Sequence, residues 1–248
     1  MKKIAMTEIY EEFHKNISDQ KRVISRNNFT YRIILDVLTK YIKKSNSILD
    51  VGCGSGTISF YLASKGNKVY GVDISKKAIE SCVRSAKLLN LEKTSFKAMD
   101  FPNVVPNTTF DVIILCEVLE HLKDDNKAIK KIFSLLKPGG IAIISTPSKN
   151  APLFRMGYAQ SFDERVGHLR RYDMAELIGK CKKNGFIILE TKKTEGVFRN
   201  FLFLNSVAGK LIRFIKYFIS DLITILDNML VSIFGESNIF IVVKKPNG

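Results

Sequence analysis

The chain has 248 residues, 46% of them hydrophobic, which is enough to build a core and excludes wholesale disorder. A formal net charge of +15 favours anionic partners, namely nucleic acid, a membrane surface or a phosphorylated substrate, against the plainer reading of a solvated lysine-rich surface. Four scattered cysteines form no C-x-x-C pair and the first residues lack an apolar signal stretch, so a disulfide framework, a zinc site and a secretory leader are all unexpected, and a reduced cytoplasmic compartment is expected.

Residues 1–46 read as a helical cap. Ile9, Tyr10, Phe13 and Ile17 recur at helical spacing, and a second apolar run extends from Phe29 to Tyr41. The stretch S-I-L-D-V-G-C-G-S-G-T-I-S-F-Y-L-A-S (47–64) then joins a buried strand, a turn and a helix. Gly52, Gly54 and Gly56 fall at every second position of the turn. Glycine permits positive φ and close approach of a ligand to the backbone, and the helix start offers free N–H groups to an anion. Strand, glycine turn and helix form the first unit of a nucleotide-type site.

K-V-Y-G-V-D-I-S (68–75) reads as a second strand. It ends in Asp73, about twenty residues past the glycines, where such a unit places the acid that accepts two ribose hydroxyls. A helix is expected over 75–90 with Ala78, Ile79, Cys82, Val83 and Ala86 inward. Strands are expected at 94–98 and 110–116, then a helix over 126–136 stopped by Pro138-Gly139-Gly140, and a strand at 141–145. Residues 146–172 show no period, which suits a lid or binding loop. Asp173 and Glu176 open a helix that Gly185 closes, and strands follow at 186–189 and 239–243. Strands alternating with helices imply a parallel sheet covered on both faces.

Residues 197–237 are rich in Phe, Leu and Ile but interrupted by charges. Read as a helix, Lys210, Arg213, Lys216 and Ser220 share one face, and Leu211, Phe214, Ile215, Phe218, Ile219, Leu222, Leu226, Met229, Leu230 and Ile233 the other. No run reaches the roughly 18–20 apolar residues of a membrane span. The segment suits a membrane interface, or alternatively an insertion packed on the core, a partner copy or the substrate pocket.

I-L-D-V-G-C-G-S-G (48–56), G-V-D-I-S (71–75), F-D-V-I-I-L-C-E-V-L-E-H-L (110–122) and L-K-P-G-G (136–140) together resemble the motifs of class I S-adenosylmethionine-dependent methyltransferases, over about residues 30–196 and the last strand. E-V-L-E-H-L is similar to the ubiquinone-type O-methyltransferases, and D-E-R-V-G-H-L-R-R-Y (163–172) to a subgroup often assigned to polyprenyl or cell-envelope metabolism. The resemblance implies a Rossmann-like α/β fold: a seven-stranded, mostly parallel sheet with an antiparallel last strand, helices on both faces and a helical insertion before that strand. The domain would comprise 47–196 and 238–248, with 197–237 inserted. The glycine spacing G-x-G-x-G, with Asp50 ahead of it, disfavours a dinucleotide.

In this reading S-adenosylmethionine is the cofactor. Asp50 and the backbone of Gly52, Cys53, Gly54 and Gly56 hold its amino-acid end, Asp73 its ribose, and Ile74, Met99, Asp100 and Phe101 its adenine. Cys116 and Glu117 lie along the methionine part. The acceptor is expected to be a hydrophobic, lipid-like small molecule, with His121 or His168 as general base and Arg170, Arg171 and Tyr172 as its binding residues; Arg170 or Arg171 paired with Asp163 or Glu164 is the competing reading. Glu117, Glu120 and His121, at helical spacing, would suit Mg²⁺, but a divalent metal is the less favoured choice. A homodimer and a peripheral position at the inner membrane face are further expectations. Two other functions compete: a nucleic-acid methyltransferase, which the charge permits but no RNA or DNA motif supports, and a membrane-attached module that binds the cofactor without turning it over.

Overall fold

A computed structural model describes residues 6–26, 28–204 and 218–247. The element order begins with α1 (Met6–Phe13) and α2 (Arg32–Tyr41), then β1 (Ser47–Val51), α3 (Thr57–Ser64), β2 (Lys68–Asp73), α4 (Lys76–Leu88), β3 (Thr94–Ala98) and β4 (Phe110–Cys116). A 3₁₀ turn (Leu119–His121) leads to α5 (Asp125–Leu135) and β5 (Leu136–Pro147), then the short helices α6 (Pro152–Arg155) and α7 (Gln160–Val166). The chain continues through α8 (Met174–Lys183), β6 (Ile187–Thr194), α9 (Val197–Leu204), α10 (Phe218–Phe234) and β7 (Asn238–Lys244).

The seven strands form one sheet in the order β3-β2-β1-β4-β5-β7-β6. Pairings among β1 to β5 are parallel, while β7 runs antiparallel to both β5 and β6. The expected fold class is therefore the observed one. Strand alternation decides what each face packs against. On β1, Leu49 and Val51 join the cluster that holds Ile129 and Ile132 of α5 and Leu177 of α8. Ile48 points the other way, into a cluster with Ile34 and Leu38 of α2 and Leu62 of α3.

Several boundaries differ from expectation. The first helix stops at Phe13, so Ile17 lies outside it. Val83 on α4 is exposed rather than inward. Leu136 to Gly140 belong to β5, because Leu136 pairs with Phe110 across a register shift before Ile141 meets Val112. The aperiodic stretch 146–172 holds two short helices whose few turns are too brief to show a period. In α8, Asp173 accepts the N–H of Glu176 at 2.8 Å as a helix cap, but Glu176 reaches outward to Lys149 at 2.6 Å instead of back to the cap.

The 197–237 region departs most from its pattern. Lys210, Arg213, Lys216, Leu211, Phe214 and Ile215 lie outside the described residues. On α10, Thr224 and Asp227 are buried while Ile225, Leu226, Met229, Ile233 and Phe234 are exposed. Arg199 on α9 is fully buried, with Phe198 and Phe201 exposed beside it. Asp227 turns inward because it accepts N–H groups of Gly196 at 2.7 Å and Phe198 at 2.9 Å, which caps the start of α9. The apolar side chains of this pair are thereby turned outward. No described helix is long and apolar enough to cross a membrane.

Candidate active site

A cavity of about 1310 Å³ opens at the carboxyl edge of the sheet, where open α/β sheets bind ligands. At one end it meets the glycine turn. Gly52 and Cys53 donate to the Val72 carbonyl at 2.8 and 3.0 Å, folding the turn across β2. Gly52 has φ 69°, and a Cβ there would stand 2.3 Å from a methyl of Val118. At Gly56, φ is 78° and a Cβ would meet the Phe60 ring at 2.8 Å. That glycine is required by packing, for Gly56 itself does not reach the cavity.

Asp73 ends β2 in the cavity wall. One oxygen accepts Gly54 N–H and the other Ser75 N–H, each at 2.9 Å. A carboxylate has about four lone-pair positions, so two are left beyond these bonds on a residue that lines the cavity. Ile74, Met99, Asp100 and Phe101 continue the same wall, and Asp100 also accepts from Asn103 at 3.0 Å. Cys53, Gly54, Cys116 and Glu117 line it as well. Burial pushes the Cys116 thiol well above its ordinary pKa, which leaves it inert. Glu117 stands in left-handed backbone, φ 56°, and accepts from Ser145 Oγ at 2.7 Å and Asn238 Nδ2 at 2.8 Å, tying β4 to β5 and β7.

Asp50 is placed differently from expectation. Like Ile48 it points to the α3 face of β1, not into the cavity, and it accepts from Ser59 Oγ at 2.6 Å. Burial, with the Asp73 charge adding to it and Ser59 opposing, pushes its carboxyl up to about 7. It locks α3 beneath the turn.

At the other end His121 and His168 line the cavity, with ring centroids 4.7 Å apart. His121 Nδ1 faces the Gly167 carbonyl at 3.1 Å, so that nitrogen carries the hydrogen. Burial, and then His168, lower its pKa to about 4, so it is neutral. His168 Nδ1 meets Asp163 at 2.9 Å, and Arg171 grips the same carboxylate at 2.6 and 2.7 Å. This is the competing reading of Arg171, with Asp163 as its partner. Two of the expected acceptor-binding residues are corrected. Arg170 leaves the cavity for Asp125 at 3.1 Å and the Lys123 carbonyl at 3.0 Å. Tyr172 is fully buried and donates to Asp125 at 2.7 Å. Both secure α5, because Asp125 also draws in Lys180 at 3.1 Å.

The less favoured Mg²⁺ set of Glu117, Glu120 and His121 does not assemble. Residues 119–121 form a 3₁₀ turn, which sends Glu117 to β7 and Glu120 to Thr146 at 3.2 Å. Among the described residues, Glu120, His121 and His168 bring donor atoms within 4.8 Å of one another. One carboxylate with two imidazoles suits zinc rather than magnesium. The nitrogens lie 3.8 and 3.9 Å from the carboxylate oxygen, wider than the roughly 3.4 Å edge of a tetrahedron around zinc.

Several residues at the cavity were not among the expected site residues. Tyr10 sets its ring edge-on to His121 at 5.6 Å, and His14 faces Gly54. Gln20 donates to Thr57 Oγ1 at 2.7 Å and to the Ser55 carbonyl at 2.9 Å, strapping the N-terminal segment across the start of α3. Glu195, φ 60°, and Asn200 line the cavity with Tyr31, Ile34 and Phe240. Burial raises Glu195 to about 7, against the lowering effect of Arg199.

Residues 42–194 match the model of a methyltransferase domain. The chain belongs to the methyltransferase-domain family. The domain is similar to the ubiquinone biosynthesis O-methyltransferase of Coxiella burnetii (strain Dugway 5J108-111), with 36% identity over 124 residues, 48% of this chain and 53% of that protein. The methyltransferase chain thus spans about half the length of the curated relatives it matches. Its fold is similar to that of N-methyltransferase NodS from Bradyrhizobium japonicum WM9, solved with S-adenosyl-L-homocysteine, at TM-score 0.63 and 17% identity over 98% of this chain and 100% of that one. Phosphoethanolamine N-methyltransferase 2 of Haemonchus contortus, solved with S-adenosyl-L-methionine, gives TM-score 0.66 and 18% identity over 98% of this chain and 57% of that one. At such identities the likeness concerns the fold.

Proposed function

We propose that this domain transfers the methyl group of S-adenosylmethionine to an oxygen or other heteroatom of a hydrophobic, lipid-like acceptor drawn from a membrane surface. The observation that carries the reading is Asp73: fixed by two backbone N–H groups in the cavity wall, it keeps two acceptor positions open where a ribose would present two hydroxyl donors. When bound, the cofactor supplies an electrophilic methyl on a sulfonium. The glycine turn, Ile74, Met99, Asp100 and Phe101 would hold its two ends and leave the opposite end of the cavity to the acceptor. Tyr31, Ile34, Phe162 and Phe240 give that end an apolar lining. His168, oriented by Asp163, takes the acceptor's proton, and neutral His121 packs against it. Alignment of two reactants can supply about 7–11 kcal/mol of the barrier, and a base about a hundred-fold or more.

The membrane part rests on the outward apolar face of α10. Met229 is 65% and Ile233 71% exposed, beside exposed Phe198 and Phe201 of α9, in a chain of net charge +15. The partner chemistry is an anionic lipid surface.

Calorimetry with S-adenosylhomocysteine tests the cofactor site: wild type binds, and equal affinity in Asp73→Ala would overturn the assignment. Incorporation of labelled methyl into a long-chain alkyl catechol, against a long-chain alkylamine, reads the acceptor atom. Flotation with phosphatidylglycerol vesicles reads the surface. Wild type should float and Met229→Glu/Ile233→Glu should not; wild type staying in the soluble fraction would remove the membrane claim.

A further inference from the structure

The segment D-E-R-V-G-H-L-R-R-Y places His168 and Arg171 on the cavity wall, and Asp163 directly behind them. Asp163 Oδ1 accepts from His168 Nδ1 at 2.9 Å and from Arg171 Nη2 at 2.6 Å, and Oδ2 accepts from Arg171 Nε at 2.7 Å. Arg171 is itself anchored, donating to the Ser148 carbonyl at 3.3 Å and lying 4.4 Å above the Phe154 ring. The backbone repeats the registration. His168 N–H donates to the Asp163 carbonyl at 2.9 Å across left-handed Gly167, and Leu169 N–H to the Glu120 carbonyl at 2.9 Å. The imidazole itself makes one hydrogen bond, through Nδ1, to a carboxylate that Arg171 holds fixed.

An ionised carboxylate accepts hydrogen bonds and donates none. The single hydrogen of a neutral His168 must therefore sit on Nδ1, leaving the Nε2 lone pair free. That nitrogen stands 3.9 Å from Glu120 Oε1, too far for a hydrogen bond. His121 is turned alike, with Nδ1–H toward the Gly167 carbonyl and Nε2 3.8 Å from the same Glu120 oxygen. Glu120 is fully buried, and its Oε1 has no hydrogen-bond partner among the described residues. Two imidazole lone pairs thus converge beside the cavity, next to Glu120, whose carboxyl is pushed well above its ordinary pKa by burial and by the Glu117 charge.

We propose that Asp163, clamped by Arg171, is a positioning residue for proton removal: it fixes His168 as the Nδ1–H tautomer and so presents Nε2 to the acceptor. The inference rests on His168 being the base, as read above. The acceptor's X–H bond breaks, its electron pair stays on X and forms the new X–C bond, the C–S pair returns to sulfur, and the proton goes to Nε2. The imidazolium so formed lies against the Asp163 carboxylate.

The chain has only three histidines, so ¹⁵N-histidine labelling of the full protein with S-adenosylhomocysteine gives an assignable spectrum. The expected wild-type signature of neutral His168 is a protonated Nδ1 and a bare Nε2. In Asp163→Asn, an amide turned toward the ring moves the hydrogen to Nε2. Methyl transfer to the alkyl catechol or alkylamine then falls about a hundred-fold or more in kcat, with S-adenosylhomocysteine affinity unchanged. A wild-type His168 found as the Nε2–H tautomer overturns the proposal without any variant having to fold. So does an Asp163→Asn enzyme that loses turnover while keeping the Nδ1–H tautomer, since its loss is then structural. Full activity in His168→Gln would instead remove the base assignment and leave the tautomer result standing.

Discussion

The two ends of the cavity are built by different means. At the glycine turn the parts come from residues 52–57 and 72–75, and the holding groups are mostly backbone: Gly52, Cys53, Gly54 and Ser75 all contribute N–H donors. At the other end, α2, the 3₁₀ turn, the 160–171 segment, Glu195 just past β6, α9 and β7 supply the lining side chains, and ion pairs hold Arg171 and Glu195 in place. A site made of local backbone geometry tolerates little variation and is shared widely. A site made of distant side chains can be changed piece by piece, and in the proposed reading this is the half that would select the acceptor.

The sharpest way to break that contrast is to remove an ion pair from the acceptor half. Arg199 is fully buried, 3.4 Å from Glu195, and donates to the Phe29 carbonyl at 2.9 Å. Arg199→Ala removes a fully buried guanidinium from Glu195 and from the Phe29 carbonyl and should cost about 3–5 kcal/mol in denaturant unfolding. A loss below about 1 kcal/mol would show that this end does not depend on the pair.

In the donor half, Asp50 gives a pH signature. Its folded pKa, about 7, lies above the ordinary aspartate value, so the native state binds its proton more tightly than the unfolded chain. The stabilisation is present below pH ~4 and is lost as pH rises through 7, by up to about 4 kcal/mol at 1.36 kcal/mol per unit. Asp50→Asn should flatten that slope in the cofactor-free protein. An unchanged slope would mean the carboxylate is solvated.

Asp73→Ala should weaken S-adenosylhomocysteine binding by about a hundred-fold, roughly 2.7 kcal/mol. Part of this loss comes from the turn, since Gly54 N–H and Ser75 N–H lose their acceptor. The smallest effect belongs to Met229→Glu/Ile233→Glu. Both side chains are exposed, so unfolding free energy should move by no more than about 0.5 kcal/mol even as vesicle binding is lost. A large destabilisation would mean that this face is covered in solution.

The strands, the glycine turn and Asp73 were legible because each is written in a short window: apolar runs, glycines at fixed spacing, and an acid at a strand end. The capping Asp173 and the stop at Gly185 were legible for the same reason. Asp50 was misread because a strand residue beside the glycines can face either side of the sheet, and only the packing of α3 decides which. Arg170, Arg171 and Tyr172 are adjacent in sequence, yet they go to Asp125, Asp163 and Asp125 respectively, since a loop has no period from which to infer direction.

Local sequence by itself determined the parallel sheet, the phosphate-style turn adapted to a different ligand, and the cationic character of the chain. Tertiary structure decided how the other end of the cavity is lined. It brought Asp163 behind His168, closed the far end with Glu195 and Asn200, and turned α10 so that Asp227 faces in and Met229 faces out. The reason is regularity. Hydrophobic period and turn chemistry follow fixed spacings, whereas a charge is oriented by whichever partner the fold brings within hydrogen-bonding reach, whether eight residues away, as Asp163 is from Arg171, or 47, as Asp125 is from Tyr172.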